Sequence, residues 1–384
     1  MRQIKLGDLQ ITNKFRGYVE EILDTGRVSY GKFSRMLEGE MARYHGAKYG
    51  ILSNSGTSSL QVALHALKIQ NNWADSSEVV VPATTFPATI NVILQNRLKP
   101  VFVDVDKDFY DINIDQLENE ITDKTVALLP VNLFGQTCRL DEIKNIADFY
   151  NLKTVVDSCE TIGVGHNRNP LADYADVVCF SFYVAHIIQG GVGGVGITKD
   201  DELAKLMRSL VNHGRRPTYI SIDDMPVNLT DRFTFDHTGY SYRITEFESA
   251  LALSNFRDIG ANIARRREIA ACYKHNLSKL DFLQIPAERP VSEHSWMMYP
   301  LVIKDPGIDK LRLCKYLEDN GIETRDMLPL TNQPVACKHY DITIGDFPVS
   351  DNLVENGFYI SCSNHLTNED IAYVIAVFSV YQEN

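Results

Sequence analysis

The feature that most restricts the fold is a rhythm. Between residues 49 and 198, short apolar runs rich in valine and isoleucine alternate with helix-length amphipathic segments. The runs predict strands over 49–52, 78–81, 100–103, 126–131, 153–156, 177–180 and 193–198, and helical periodicity occupies 58–68, 114–121 and 140–150. Strands that are apolar at successive positions must be covered on both faces, and helices between them provide that cover. The expectation is an α/β fold with a mixed, mostly parallel central sheet between helices.

After Gly214 the rhythm stops. The stretch 215–242, RRPTYISIDDMPVNLTDRFTFDHTGYSY, is polar and carries prolines, which marks a long functional loop rather than a core element. A long amphipathic helix is predicted over 245–280, followed by short strands at 298–303 and 357–360 and helices at 309–320 and 368–381. This divides the chain into a large domain over 1–240, including the N-terminal segment, and a linking helix with a small C-terminal α+β domain over 241–384. At 384 residues and 44% hydrophobic composition the chain can bury a core large enough for both.

Charge and cysteine usage exclude several classes. A formal net charge of −12 argues against nonspecific binding to nucleic acid or an anionic membrane, yet leaves room for a local basic pocket that takes an anionic small molecule. The start, MRQIKLGDLQITNKF, has no apolar signal core, and no apolar run reaches the roughly 18 residues of a membrane span, so a cytoplasmic protein is expected. The seven cysteines are scattered without a CxxC pair; reduced thiols and no metal centre are the expectation.

Three stretches carry candidate chemistry. Asn54-Ser55-Gly56-Thr57-Ser58-Ser59-Leu60 follows a predicted strand and opens a helix, where amides and the helix dipole stabilise phosphate, although the same residues also make ordinary caps. Asp157, in Asp157-Ser158-Cys159-Glu160, sits at the carboxyl end of a strand, the edge at which α/β proteins bind ligands. A carboxylate there can keep a pyridine nitrogen protonated, or it can be a plain turn aspartate. The third stretch, Phe180-Ser181-Phe182-Tyr183-Val184-Ala185-His186, leads into the glycine-rich turn around Gly190-Gly191-Val192-Gly193-Gly194. Taken alone, its histidine reads more readily as a structural residue than as a catalytic one.

In this order and spacing the three stretches resemble the sugar-nucleotide aminotransferase family of the type I pyridoxal-phosphate fold, and the likeness runs from Arg27-Val28-Ser29-Tyr30-Gly31 to 364–378. The resemblance implies that Gly56, Thr57 and Ser181 hold the cofactor phosphate. It also implies that Phe86, in Pro82-Ala83-Thr84-Thr85-Phe86, stacks on the ring, that Asp157 pairs with the ring nitrogen and that Glu160 belongs to the same pocket. Ser241 stands where the family has an asparagine that reaches the phosphate across a dimer interface, which implies a homodimer with shared active sites. Val192 stands where the family often has an acidic residue.

The sharpest departure is His186. It occupies the position of the lysine that holds the cofactor covalently, and no lysine lies between Lys153 and Lys199. That pattern resembles the family's 3-dehydratase branch, as do the Asp-Ser-Cys-Glu run at 157–160 and the pair Ser295-Trp296. The branch implies pyridoxamine 5'-phosphate bound noncovalently and regenerated from pyridoxal 5'-phosphate by an amino acid, by resemblance glutamate. Its substrate is a nucleotide-linked 4-keto-6-deoxyhexose, which loses its C3 hydroxyl to give a 4-keto-3,6-dideoxy sugar. Histidine, with a reference pKa near 6.5, can act there as base and then acid. The iron–sulfur-dependent CDP-sugar enzymes have a cysteine cluster that 215–242 lacks, so GDP-linked substrates are favoured. Arg215, Arg216 and Arg243 are candidate contacts for the substrate's anionic part. Two alternatives remain open from sequence: an aminotransferase whose lysine has been replaced, and a non-catalytic paralogue that keeps the pocket, for which Ser241 is mild support.

Overall fold

In the computed structural model, which describes residues 2–7, 9, 11–216, 233–290, 292–328, 330–340 and 342–383, the expected strands join in one sheet. They are β1 (Tyr49–Ser53), β2 (Glu78–Pro82), β3 (Lys99–Val103), β4 (Thr125–Leu128), β5 (Lys153–Asp157), β6 (Val177–Ser181) and β7 (Gly194–Thr198). Their spatial order is β1-β7-β6-β5-β4-β2-β3. The pairs β2–β3, β2–β4, β4–β5 and β5–β6 are parallel, whereas β7 runs antiparallel to both β1 and β6. The sheet is therefore mixed and mostly parallel, as expected. Strands β2, β6 and β7 are buried at every position, the physical reason their sequences read as unbroken apolar runs.

The helices of this part are α1 (Asn13–Thr25), α2 (Lys32–Tyr44), α3 (Gly56–Gln70), α4 (Pro87–Gln95), α5 (Ile114–Leu117), α6 (Leu140–Tyr150) and α7 (Asp201–Val211). The segment expected as one helix over 114–121 is instead the single turn α5 followed by a 3₁₀ turn at Glu118–Glu120. The described ends of the irregular stretch form a small hairpin, β8 (Arg215–Arg216) with β9 (Thr234–Phe235), and the rest of that stretch, 217–232, lies outside the described residues.

The helix expected over 245–280 is two helices, α8 (Glu246–Phe256) and α9 (Ile259–Leu277), separated at Arg257–Asp258. Beyond them come β10 (Leu283–Gln284), β11 (Met298–Ile303), α10 (Lys310–Asp319), β12 (Thr324–Asp326), α11 (Pro348–Asn356), β13 (Gly357–Ser361) and α12 (Asn368–Glu383). Their strands form an antiparallel sheet in the order β10-β11-β13-β12. A second hydrophobic core under this sheet contains Tyr273, Trp296, Tyr299, Phe358 and Phe378, and it also contains Ile4. The Ile4 N–H donates to the Gly321 carbonyl at 2.8 Å, whereas Leu6 belongs to the core of the large sheet, so the first residues touch both parts of the chain. Among the described residues no helix is long and apolar enough to cross a membrane.

Candidate active site

Strands β1, β5 and β6 point the same way, so Ser53, Asp157 and Ser181 end on one edge of the sheet, where β7 begins with Gly194. Helix α3 starts at this edge, capped by Ser55, whose hydroxyl accepts from the Ser58 N–H. The chain is packed here backbone to backbone. A Cβ added at Gly194 would lie 2.5 Å from the Ser55 carbonyl oxygen and 2.6 Å from the Gly56 nitrogen, and one added at Gly56 would lie 2.7 Å from Ser181 Cβ and 2.8 Å from Cys159 Sγ. Glycine at 56 is thus required by close approach. The same contacts bring the two predicted phosphate-site residues Gly56 and Ser181 together, with Thr57 exposed on the first turn of the helix and the positive end of the helix dipole at the same edge.

Asp157 is 4% exposed. Its Oδ2 accepts from the Thr89 hydroxyl at 2.7 Å and its Oδ1 from the Cys159 N–H at 3.1 Å, and no cationic side chain among the described residues pairs with it. Burial raises its pKa, against the lowering effect of the Thr89 hydroxyl and of the thiol and N–H of Cys159. A buried carboxylate with no cation in its own chain suits a cation delivered by a ligand. Thr89 is a site residue that sequence reasoning missed. It lies one turn into α4, and its N–H donates to the carbonyl of Phe86, the 61% exposed aromatic at the head of that helix. The ring expected to stack and the hydroxyl that fixes Asp157 therefore share one helical turn.

Glu160 is half-buried, and its Oε2 accepts from the Phe134 N–H at 3.1 Å. Burial pushes its carboxyl up to about 7, the Phe134 N–H opposes this, and the neighbouring Asp157 adds to it. The turn that supplies Phe134 was also missed from sequence.

His186 ends a tight turn after β6, its N–H donating to the Tyr183 carbonyl at 2.9 Å, and its ring meets Tyr183 edge-on with centroids 5.8 Å apart. Its Nδ1 is buried without a hydrogen-bond partner, and burial lowers the pKa to about 4. At neutral pH the imidazole is uncharged and keeps a lone pair to offer.

The other predicted residues stand apart from this edge. Ser241 pairs with Asn212 in an isolated bridge and its hydroxyl accepts from Arg243, which also donates to Asn212 at 2.7 Å. Arg216 pairs with Asp236 at 2.6 Å. Arg215 differs. It lies between the rings of Phe233 and Phe235, 5.4 and 5.8 Å from their centroids, and its Nε is buried without a partner. One backbone bond joins this region to the phosphate turn, from the Asn54 N–H to the Tyr242 carbonyl at 2.7 Å. Among the described residues no cluster of three or more His, Cys, Asp or Glu is placed to hold a metal ion.

Residues 9–379 match the model of the DegT/DnrJ/EryC1/StrS aminotransferase family. The chain belongs to that family. Its relatives include a dTDP-4-dehydro-2,6-dideoxy-D-glucose 3-dehydratase of Saccharopolyspora spinosa, 31% identical over 91% of this chain and 80% of that protein. A GDP-perosamine synthase of Caulobacter vibrioides is 30% identical over 94% of this chain and 93% of that one. Among solved structures, E coli GDP-4-keto-6-deoxy-D-mannose-3-dehydratase with bound hydrated pyridoxal phosphate superposes with a TM-score of 0.89, at 25% identity, covering 98% of this chain and all of that one. The type I fold and the pyridoxal-phosphate cofactor expected from sequence are those of this family.

Proposed function

We propose that this family member is a 3-dehydratase that removes the C3 hydroxyl of a nucleotide-linked, preferably GDP-linked, 4-keto-6-deoxyhexose, with pyridoxamine 5'-phosphate as cofactor and glutamate as amine donor. The observation that carries this reading is His186, an uncharged, half-buried imidazole with an unpaired nitrogen at the family's lysine position, in a stretch from 154 to 198 without any lysine. The residues present fit the cofactor. Gly56 and Ser181 form a cradle that a Cβ would fill, and Asp157 is a buried carboxylate without a cation.

When bound, pyridoxamine phosphate supplies an amine for the sugar's C4 ketone and a protonated ring that takes up electrons. Gly56, Thr57 and Ser181 would hold its phosphate, Phe86 would cover the ring and Asp157 would pair with the ring nitrogen. Thr89, which donates to Asp157, would keep that carboxylate in place, and Glu160 would contribute a second carboxyl to the pocket. His186 would be the base that takes up a proton beside the ring and the acid that hands it to the departing C3 hydroxyl, which leaves as water. Because an imidazole cannot capture the cofactor covalently as a lysine would, the nitrogen at sugar C4 would be lost as ammonia by hydrolysis, and the sugar would leave dehydrated instead of aminated. Arg215, whose guanidinium has an unpaired Nε, is the best placed of the three arginines for the substrate's diphosphate; Arg216 and Arg243 already hold partners of their own. A homodimer is part of this reading. The exposed rings of Phe233 and Tyr183, eight residues before Ser241 and three before His186, suit cover by a second copy.

The 3-dehydratases among the relatives support the assignment, while the GDP-perosamine synthases favour a second reading, amino transfer. Incubation with GDP-, CDP- and dTDP-linked 4-keto-6-deoxyhexoses, pyridoxamine phosphate and glutamate, followed by mass spectrometry, decides between them. The expected product lacks the C3 oxygen. An amino sugar that retains it establishes the second reading, and absence of both turnover and cofactor absorbance marks a non-catalytic paralogue.

A further inference from the structure

The turn at Phe134–Gly135 joins two parts of the chain. On one side the Phe134 N–H donates to Glu160 Oε2 and the Gly135 N–H to Thr161 Oγ1, both at 3.1 Å. On the other side the Gly135 carbonyl accepts from the Ser295 N–H at 2.8 Å and the Ser295 hydroxyl at 3.1 Å, and the Phe134 carbonyl accepts from the Met297 N–H at 3.0 Å. Phe134 has φ +54°, Gly135 φ +107° and Trp296 φ +49°, conformations that non-glycine residues hold only where surrounding contacts over-determine them. A Cβ at Gly135 would lie 2.5 Å from the Trp296 nitrogen. The Phe134 ring also meets the ring of Tyr359 on β13, with centroids 5.8 Å apart.

We propose that Ser295 is a positioning residue: through the Gly135 carbonyl it holds the Phe134 N–H on Glu160, so that the segment leading into β11 sets the orientation and proton affinity of a carboxyl in the cofactor pocket. The proposal rests on Glu160 being a cofactor contact. The groups facing Glu160 are Asp157 and Cys159 of its own segment and Tyr359 of β13. The Phe134 N–H bond favours the ionised carboxyl, so weakening it lets Glu160 keep its proton to higher pH.

The test needs no sugar substrate, which separates its failure from failure of the dehydratase assignment. Bound pyridoxal phosphate is titrated by absorbance in the native chain, Ser295→Ala, Glu160→Gln and the double variant, and hydrogen exchange at Phe134 is followed in the cofactor-free chains. Ser295→Ala is expected to speed Phe134 exchange about fivefold to tenfold, the scale of one lost hydrogen bond, and to move the absorbance midpoint to higher pH. In the Glu160→Gln background the same substitution leaves the midpoint unmoved. A midpoint unchanged by Ser295→Ala, or a shift that persists without Glu160, overturns the proposal, since a merely structural role would act equally in both backgrounds. Should Ser295→Ala unfold in a thermal melt, Ser295→Cys, a weaker donor of similar volume, carries the same cycle.

Discussion

Two buried carboxylates, Asp111 and Asp157, are both pushed up in pKa by burial, and they differ in what the chain supplies to meet them. Asp111 faces Arg289. The guanidinium donates to both its oxygens, from Nη1 to Oδ2 and from Nη2 to Oδ1 at 3.0 Å, while stacked 3.9 Å over the Phe109 ring. Asp157 has the Thr89 hydroxyl and the N–H and thiol of Cys159, all neutral groups. The first site is complete within the chain and ties together segments 178 residues apart. The second has no cationic partner among the described residues, which is the feature behind the proposed pairing with a cationic ring.

Breaking the complete pair gives the largest expected effect on folding. Asp111→Asn strands the Arg289 charge in the interior and should cost about 3–5 kcal/mol of stability, read by chemical denaturation, with the cofactor absorbance of the folded fraction unchanged. Asp157→Asn should behave in the opposite way. The cofactor-free chain keeps or gains thermal stability, because an unbalanced buried charge has been removed, while turnover falls by about 10²–10³-fold. If Asp157→Asn destabilises the chain as much as Asp111→Asn does, the two carboxylates are alike and the contrast fails.

A smaller effect sharpens the comparison from the side of neutral groups. His45 is buried between Tyr44 and Phe180 with Nε2 unpartnered, and burial lowers its pKa to about 3. The unfolded chain titrates this group near 6.5, so the folded state binds fewer protons between the two values. The stability this group supports is full above pH 6.5 and is lost as pH falls toward 3. His45→Phe should therefore flatten the decline of the thermal midpoint between pH 6.5 and 4. An equal slope in the variant would show that His45 is solvated and titrates normally.

How much of this was legible follows from the range of the interactions. The strands were readable because burial on both faces writes itself into consecutive residues; Asp157 and Ser181 were readable because each closes such a strand, and Gly56 because it opens the helix that follows one. The helix break at Arg257–Asp258 carries neither glycine nor proline, and its one local signal was Asp258, a residue that can cap a helix, followed by Gly260. Nothing local announced the place of Ile4, whose partner Gly321 lies at the other end of the chain. Within the site, Thr89 reaches Asp157 across 68 residues and Phe134 reaches Glu160 across 26, contacts that no spacing rule encodes. The sequence did mark Ser295-Trp296, but only as a pattern; its hold on Gly135 is visible in three dimensions alone.

His186 is the residue on which the proposed dehydration depends, and one substitution separates binding from turnover. His186→Asn removes the proton-transferring imidazole and leaves the Gly56–Ser181 cradle and Asp157 in place. Pyridoxamine phosphate affinity and thermal stability should stay near the native values, while single-turnover loss of the sugar's C3 hydroxyl slows by about 10²–10⁴-fold, the usual contribution of a positioned acid–base group. A variant that dehydrates at a near-native rate, once its folded fraction is taken into account, would contradict the catalytic role assigned to this residue.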